Sequence, residues 1–148
     1  MRTIDNLRRS GIGIEPHQGI VDAARSMEHA GVGCLAVVEG EHVIGMVTDR
    51  DLVRRGLARG LPPDARVDSV MSTPVVTIDA DADVHSAYAL FRSHAVRRLA
   101  VVRGDRFVGI LSVDDLLVDL TADLADLTRP VEGEVFFAHH DAAVPAER

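Results

Sequence analysis

The stretch Leu35-Ala36-Val37-Val38-Glu39-Gly40 returns as Leu99-Ala100-Val101-Val102-Arg103-Gly104, 64 residues further along the chain. The same offset carries Gly45 onto Gly109, Asp51 onto Asp115 and Leu52 onto Leu116. Residues 14–53 align with 78–117 without a gap, and 11 of the 40 positions are identical. Chance gives only a few identities over such a span, so the chain is a tandem duplication. Upstream, with a slip of one residue, Ile4-Asp5-Asn6-Leu7 parallels Val67-Asp68-Ser69-Val70.

Both copies share one order of elements. The β-branched runs Ile12 to Ile14 and Val75 to Ile78 read as short strands. Ile20, Ala23, Ala24, Met27 and Ala30 follow helical spacing, as do Val84, Ala87, Tyr88 and Phe91, with Asp83 placed to cap the second of these helices. Hairpins are expected from Leu35–Val38 with Val43–Val47, and from Leu99–Val102 with Phe107–Leu111. A closing helix covers Asp49–Arg59 in the first copy, stopped by Gly60 and Pro62-Pro63, and Val113–Leu127 in the second, stopped before Pro130. The fold class is therefore α/β in the α+β sense: two β-α-β-β-α repeats packed with pseudo-twofold symmetry. One copy alone is too small to bury both its helices, so the apolar strands must meet across the copies. The expected divisions are 1–59 for the first repeat, 60–74 for the linker and start of the second, 75–127 for the second repeat, and 128–148 for a tail.

Composition narrows the function. With 47% apolar and 26% charged residues, the chain has the proportions of a soluble globular protein. No apolar run reaches the ~20 residues of a membrane span, and Met1-Arg2-Thr3-Ile4-Asp5 lacks the apolar core of a secretory signal. The single cysteine, Cys34, excludes an intrachain disulfide and suits a reducing cytoplasm. There are 16 basic and 23 acidic residues, a net charge of −7, and only five aromatic residues (four Phe, one Tyr). Nucleic acid is a poor fit to an acidic surface without stacking platforms. All the basic residues are arginine, which excludes chemistry that needs a lysine.

One motif closes the hairpin of each copy: Gly45-Met46-Val47-Thr48-Asp49-Arg50-Asp51 and Gly109-Ile110-Leu111-Ser112-Val113-Asp114-Asp115. A hydroxyl followed three residues later by a carboxylate is a helix capping box. The glycine lets something approach the backbone, a helix N-terminus favours phosphate, and an aspartate suits the paired hydroxyls of a ribose. A cap and a nucleotide site can coexist in these residues.

The tandem repeat and the doubled Gly-apolar-apolar-Ser/Thr-x-x-Asp ending resemble the cystathionine-β-synthase (CBS) domain pair, or Bateman module, over about residues 1–127. The chain is similar to stand-alone bacterial CBS-pair proteins of the hypoxia-response type. The resemblance implies a non-enzymatic regulatory module that holds an adenine nucleotide or adenosyl ligand (AMP, ADP, ATP or S-adenosylmethionine) between the repeats and signals by conformational change to an unknown downstream protein. It implies that Asp51 and Asp115 hold ribose hydroxyls and that Thr48 and Ser112 contact ribose or phosphate. By the same resemblance Met46 and Ile110 border the base, while Ile12 and Val76 form the other wall. Arg97-Arg98 matches a basic pair that would meet phosphate, whereas the first copy has Gly33 and Cys34 there, so the site containing Asp51 is favoured. The alternative is a ligand-free CBS pair acting through dimerisation alone.

No catalytic arrangement is legible: there is no Ser-His-Asp pattern, no P-loop lysine and no carboxylate pair that calls for catalysis. His139-His140-Asp141 lacks a further spaced cluster and is not read as a metal site. His17, His29, His42, His85 and His94 are expected at the surface, and Cys34 as a small buried apolar residue. The apolar stripe Leu52, Val53 and Leu57 returns as Leu116, Leu117 and Leu120, continued by Leu124 and Leu127. Such a stripe calls for cover, either from a second copy in a homodimer or from the tail around Val135-Phe136-Phe137.

Overall fold

The computed structural model describes residues 2–131. It divides into two compact units, one ending at Val113 and one starting at Asp114.

The first unit holds two three-stranded sheets of identical topology. In one, β1 (Gly13–Ile14) runs parallel to β2 (Cys34–Glu39), which pairs antiparallel with β3 (His42–Thr48). In the other, β4 (Thr77–Asp79), β5 (Arg98–Arg103) and β6 (Arg106–Ser112) repeat that order. Each hairpin turns on a left-handed glycine, Gly40 at φ 65° and Gly104 at φ 61°, a conformation that a Cβ disfavours. Each also carries a register shift at the same place, between Val37 and Val38 and between Val101 and Val102. Pairing reaches slightly beyond the short parallel strands, since Ile12 and Val76 carbonyls accept from Ala36 N–H and Ala100 N–H.

The helices follow the apolar spacing. α1 (Ile4–Leu7) is a single turn, α2 spans Ile20–Ala30, and α4 spans Val84–His94. Asp83 caps α4 as expected, accepting from Ser86 N–H at 2.9 Å. That bond holds its carboxyl below the usual carboxylate range. α3 begins as Asp49–Asp51 and widens into π-helical geometry over Leu52–Leu57, where an ordinary helix was expected. Inside this stretch Gly56 is buried, and a Cβ there would stand 3.3 Å from Ile20 Cδ1, so the glycine lets the α3 backbone pack directly on the Ile20 side chain of α2.

The segments that precede the repeats cross over. Ile4 N–H and Asp5 N–H of α1 donate to Ala82 and Ala80, at the start of the second repeat. The matching 3-10 turn, Val67–Ser69, returns the exchange, with Val67 N–H donating to Gln18 at 2.7 Å and Asp68 N–H to Pro16. Val67 and Val70 are fully buried with Ile14, Ile20, Met27, Leu35, Val37 and Val47 in the first repeat's core. Burying a side chain of this size stabilises by about 1.5–3 kcal/mol, so each starter segment is a structural part of the other copy. The sheets also share a core: Cys34, Ala36 and Met46 cluster with Ala100, flanked by Val38, Val43, Val75, Phe107 and Ile110.

The second unit, as far as it is described, is α5 (Val113–Val131). It runs past Pro130, where the sequence was read as stopping it. Proline there forgoes one ladder hydrogen bond, to the carbonyl of Asp126, in the last described turn. No helix among the described residues is long and apolar enough to cross a membrane. The tail residues Val135-Phe136-Phe137 and His139-His140-Asp141 lie outside the described residues.

Candidate functional site

Thr48 ends β3 with extended backbone (φ −112°, ψ 164°) and starts α3. Its Oγ1 accepts from Asp51 N–H at 3.1 Å, while Asp51 Oδ2 accepts from Thr48 N–H at 2.9 Å. The capping box read from the sequence is therefore formed in both directions. Asp51 is left with Oδ1, which lies 4.0 Å from Arg55 Nε and accepts no hydrogen bond among the described residues. The side chain is only 15% exposed, so it stands at the wall of a cavity and not in open solvent.

That cavity, about 240 Å³, gathers residues from both repeats. Met46, Thr48, Asp51 and Cys34 come from the first, and Val76, Arg97 and Arg98 from the second, with Ser72, Pro74, Val75 and Val96 filling the wall. Six residues singled out in the sequence thus share one space: Met46, Thr48, Asp51, Val76, Arg97 and Arg98. Its apolar lining, a cap carboxylate and guanidinium groups at one edge are the pattern of a small-molecule site. Wider depressions exist, such as one of about 520 Å³ along α2 at Arg25, Ser26, Glu28 and His29, but side chains of a single helix do not converge on a ligand.

Cys34 was not foreseen here. It sits opposite Thr48 in the β2–β3 register, which is the signal that could have found it. Burial pushes its thiol up to about 11, against the opposing pull of the Arg98 charge, so at neutral pH it is a protonated, apolar part of the wall. Arg98 opens β5 and its guanidinium makes no hydrogen bond or ion pair among the described residues. The carbonyl of Arg97 accepts from Val113 N–H, as the carbonyl of Gly33, its repeat counterpart, accepts from Asp49 N–H. The asymmetry read from the sequence has a spatial side: a Cβ on Gly33 would stand 2.9 Å from Asp49 Oδ2.

The other four residues are elsewhere. Ile12 is 37% exposed and does not line this cavity beside Val76. Its carbonyl is bonded to Ala36, and a Cβ on neighbouring Gly11 would meet Phe107 and Ile110, so Ile12 stands beside the hairpin of the second repeat. Ile110 is half-buried on β6, Ser112 ends that strand, and Asp115 lies in the first turn of α5.

The motif glycines admit a close approach to the backbone, as read from the sequence. A Cβ on Gly45 would be 2.5 Å from Met71 Sδ and 3.2 Å from the Ser72 carbonyl. On Gly109 it would be 2.5 Å from the Arg9 carbonyl and 2.8 Å from Arg8 Cδ. What nears the backbone is the chain's own crossing segment: Ser72 exchanges two backbone hydrogen bonds with Met46, and Arg9 exchanges two with Ile110. Among the described residues no three His, Cys, Asp or Glu side chains form a group able to hold a metal ion.

Two β-α-β-β-α repeats with a cavity lined from both define a tandem-repeat α+β architecture. The CBS domain model matches residues 7–58 and 67–121, and the chain belongs to that family. It is 37% identical over 106 residues to the CBS domain-containing protein YhcV of Bacillus subtilis, covering 72% of this chain and 76% of that one. The crystal structure of Hypoxic Response Protein I with two coordinated zinc ions superposes with a TM-score of 0.70 at 30% identity, over 80% of this chain and 99% of that one. PAE2072 from Pyrobaculum aerophilum, a CBS domain protein complexed with AMP, shares the fold at TM-score 0.70 and 23% identity, over 82% of this chain and 99% of that one.

Proposed function

We propose that this chain is a non-enzymatic regulatory module of the cytoplasm that binds an adenine nucleotide or adenosyl ligand in the cavity at Asp51. The observation that carries the reading is the convergence of Asp51, Thr48, Arg97 and Arg98 on one apolar-lined space. The base lies among Met46, Val75, Val76 and Val96. Asp51 Oδ1 accepts from the ribose hydroxyls while Oδ2 keeps the cap. Arg98, with Arg97 beside it, receives the phosphate.

At about 240 Å³ the cavity is slightly below the usual ~300–1,000 Å³ of small-molecule pockets. It encloses the nucleoside and leaves the phosphates at the arginine edge. The AMP complex of the similarly folded P. aerophilum protein is consistent with that ligand class. Because the wall is drawn from both repeats, a ligand that bridges them favours one arrangement of the repeats over others, which is how binding becomes a signal to a partner protein. The protonated Cys34 offers no activated nucleophile. The second binding partner in this reading is another copy of the chain, joined through the exposed apolar residues of its closing helices.

Thermal-shift titration with adenosine, AMP, ADP, ATP and S-adenosylmethionine tests the ligand. A compound that binds only the native state at about 100 times its Kd stabilises by about 2.7 kcal/mol, several degrees in Tm. No shift with any of the five at millimolar concentration would leave a protein acting by association alone.

A further inference from the structure

α3 carries four arginines, Arg50, Arg54, Arg55 and Arg59, and among the described residues only the Arg55 guanidinium bonds another element. It leaves the π-helical stretch, and its Nη1 donates to the carbonyls of Met71, at 3.1 Å, and Val70, at 3.4 Å. Its Nε lies 4.0 Å from Asp51 Oδ1. One guanidinium thus spans the carboxylate of the cavity and the segment that crosses between the repeats. That segment is fixed at its start, where Val67 and Val70 are fully buried in the first repeat's core. Beyond Met71 it becomes cavity wall, since Ser72, Pro74, Val75 and Val76 all line the space at Asp51. Ser72 is joined to Met46, another lining residue, by backbone hydrogen bonds of 2.7 and 3.2 Å.

The other half of the duplication is pinned differently. At the 64-residue offset Arg55 corresponds to Asp119, and a carboxylate cannot donate to a carbonyl. There the crossing segment holds itself: Arg8 Nη1 donates to the Val108 carbonyl at 2.7 Å, and Arg8 Nε to Asp5, which also pairs with Arg103. Met71 stands over Gly45 where Arg8 stands over Gly109, so the wall at Asp51 depends on an arginine supplied by α3.

We infer that Arg55 is a positioning residue for the adenosyl ligand, holding the wall formed by residues 72–76 against the first repeat and touching no phosphate itself. The inference rests on the ligand reading above and adds a residue that acts through the wall. A charged donor restrains the two carbonyls more strongly than a neutral one. A wall held in place before binding spares the ligand the cost of ordering it. Val75 and Val76 meet the base and not the phosphate, so loosening them must weaken adenosine and AMP alike.

Arg55→Met keeps the apolar stem without the donors, and Arg55→Lys restores one charged nitrogen. Amide exchange of the ligand-free full chain reads the wall directly. In Arg55→Met the Ser72 and Met46 amides should exchange at least about tenfold faster than in the wild type, while the counterpart pair Arg9 and Ile110 is unchanged. Arg55→Lys should recover most of that protection. Calorimetry should show adenosine and AMP weakened by the same factor in Arg55→Met, roughly tenfold. Unchanged exchange at Ser72 and Met46 would overturn the role, and so would equal acceleration at both pairs, the mark of a global loss of stability. A loss confined to AMP would make Arg55 a phosphate contact instead, and wild-type affinities in a loosened variant would separate the wall from binding; either overturns the inference. A wild type that binds neither compound would end the ligand reading and the affinity effect with it, while the exchange comparison alone would decide whether Arg55 holds the wall.

Discussion

Alanine at Gly45 and at Gly109 measures the crossing of the starter segments, and the structure ranks the two. Neither glycine has a positive φ, so alanine is conformationally acceptable at both and gains about 0.4–1 kcal/mol from a less flexible unfolded chain. The cost comes from what the new methyl meets. At Gly45 the nearest atom, at 2.5 Å, is Met71 Sδ, the far end of an adaptable side chain, with the Ser72 carbonyl at 3.2 Å. At Gly109 the nearest atom, also at 2.5 Å, is the backbone carbonyl of Arg9, whose residue is tied to Ile110 by hydrogen bonds of 2.9 and 3.1 Å. Relief at Gly45 therefore needs a methionine rotation, and overpacking should cost about 1 kcal/mol net. Relief at Gly109 requires the segment to retreat and its two hydrogen bonds to stretch. Overpacking of about 1–3 kcal/mol adds to about 0.5–1.5 kcal/mol for each weakened bond, for a net loss near 3 kcal/mol. Urea unfolding followed by circular dichroism reads this as a drop in midpoint at constant slope, the larger for Gly109→Ala. Equal midpoints, or Gly45→Ala the weaker of the two, would refute the reasoning that backbone passes over Gly109.

Two other predictions concern the cavity wall. The Cys34 thiol ionises near 9.0 in the unfolded chain but is pushed up to about 11 by burial in the fold, so between those values the native state holds a proton that the unfolded chain has released. Stability should fall as pH rises through that window, by an amount on the order of 2–3 kcal/mol, and level out above it. Urea midpoints of wild type and Cys34→Ala from pH 8 to 11 check this, and an identical alkaline loss in both would exclude Cys34 as its source. Arg98→Ala should lower AMP and ATP affinity roughly tenfold while adenosine affinity changes little, the signature of a charge-assisted phosphate contact. Calorimetry showing equal losses for all three would assign Arg98 a structural role.

The duplication was legible because local signals repeat with it. Gly40 and Gly104 mark the hairpin turns, Asp83 announces α4, and the Thr48-to-Asp51 spacing announces a capping box, and all of them formed. What the sequence hid depends on contacts between distant residues. The parallel of Ile4–Leu7 with Val67–Val70 was visible, but not that each packs on the opposite repeat, because that exchange is fixed by hydrogen bonds to Ala80, Ala82, Pro16 and Gln18. The motif glycines were read as letting something approach the backbone, and the signature alone does not say that the chain's own crossing segment is what does so. Ile12 and Val76 are equivalent by offset, and the duplication sets them on opposite sides: Val76 lines the Asp51 cavity with Met46, while Gly11, beside Ile12, packs near Phe107 and Ile110. Asp51 itself is largely enclosed and carries half of a reciprocal cap, so Asp51→Ala removes a cap worth about 1 kcal/mol as well as a ligand contact.

Asparagine separates those two roles, because its side-chain oxygen still accepts from Thr48 N–H while the negative charge is gone. The most direct test of the account is therefore calorimetric titration of AMP into wild type and Asp51→Asn, with the melting temperature of each taken alongside. The account predicts saturable binding to the wild type and a loss of about 1.5–3 kcal/mol, roughly tenfold to a hundredfold in Kd, in a variant that melts within a few degrees of it. Undiminished AMP affinity in Asp51→Asn, or no binding heat in the wild type at millimolar AMP, would contradict it.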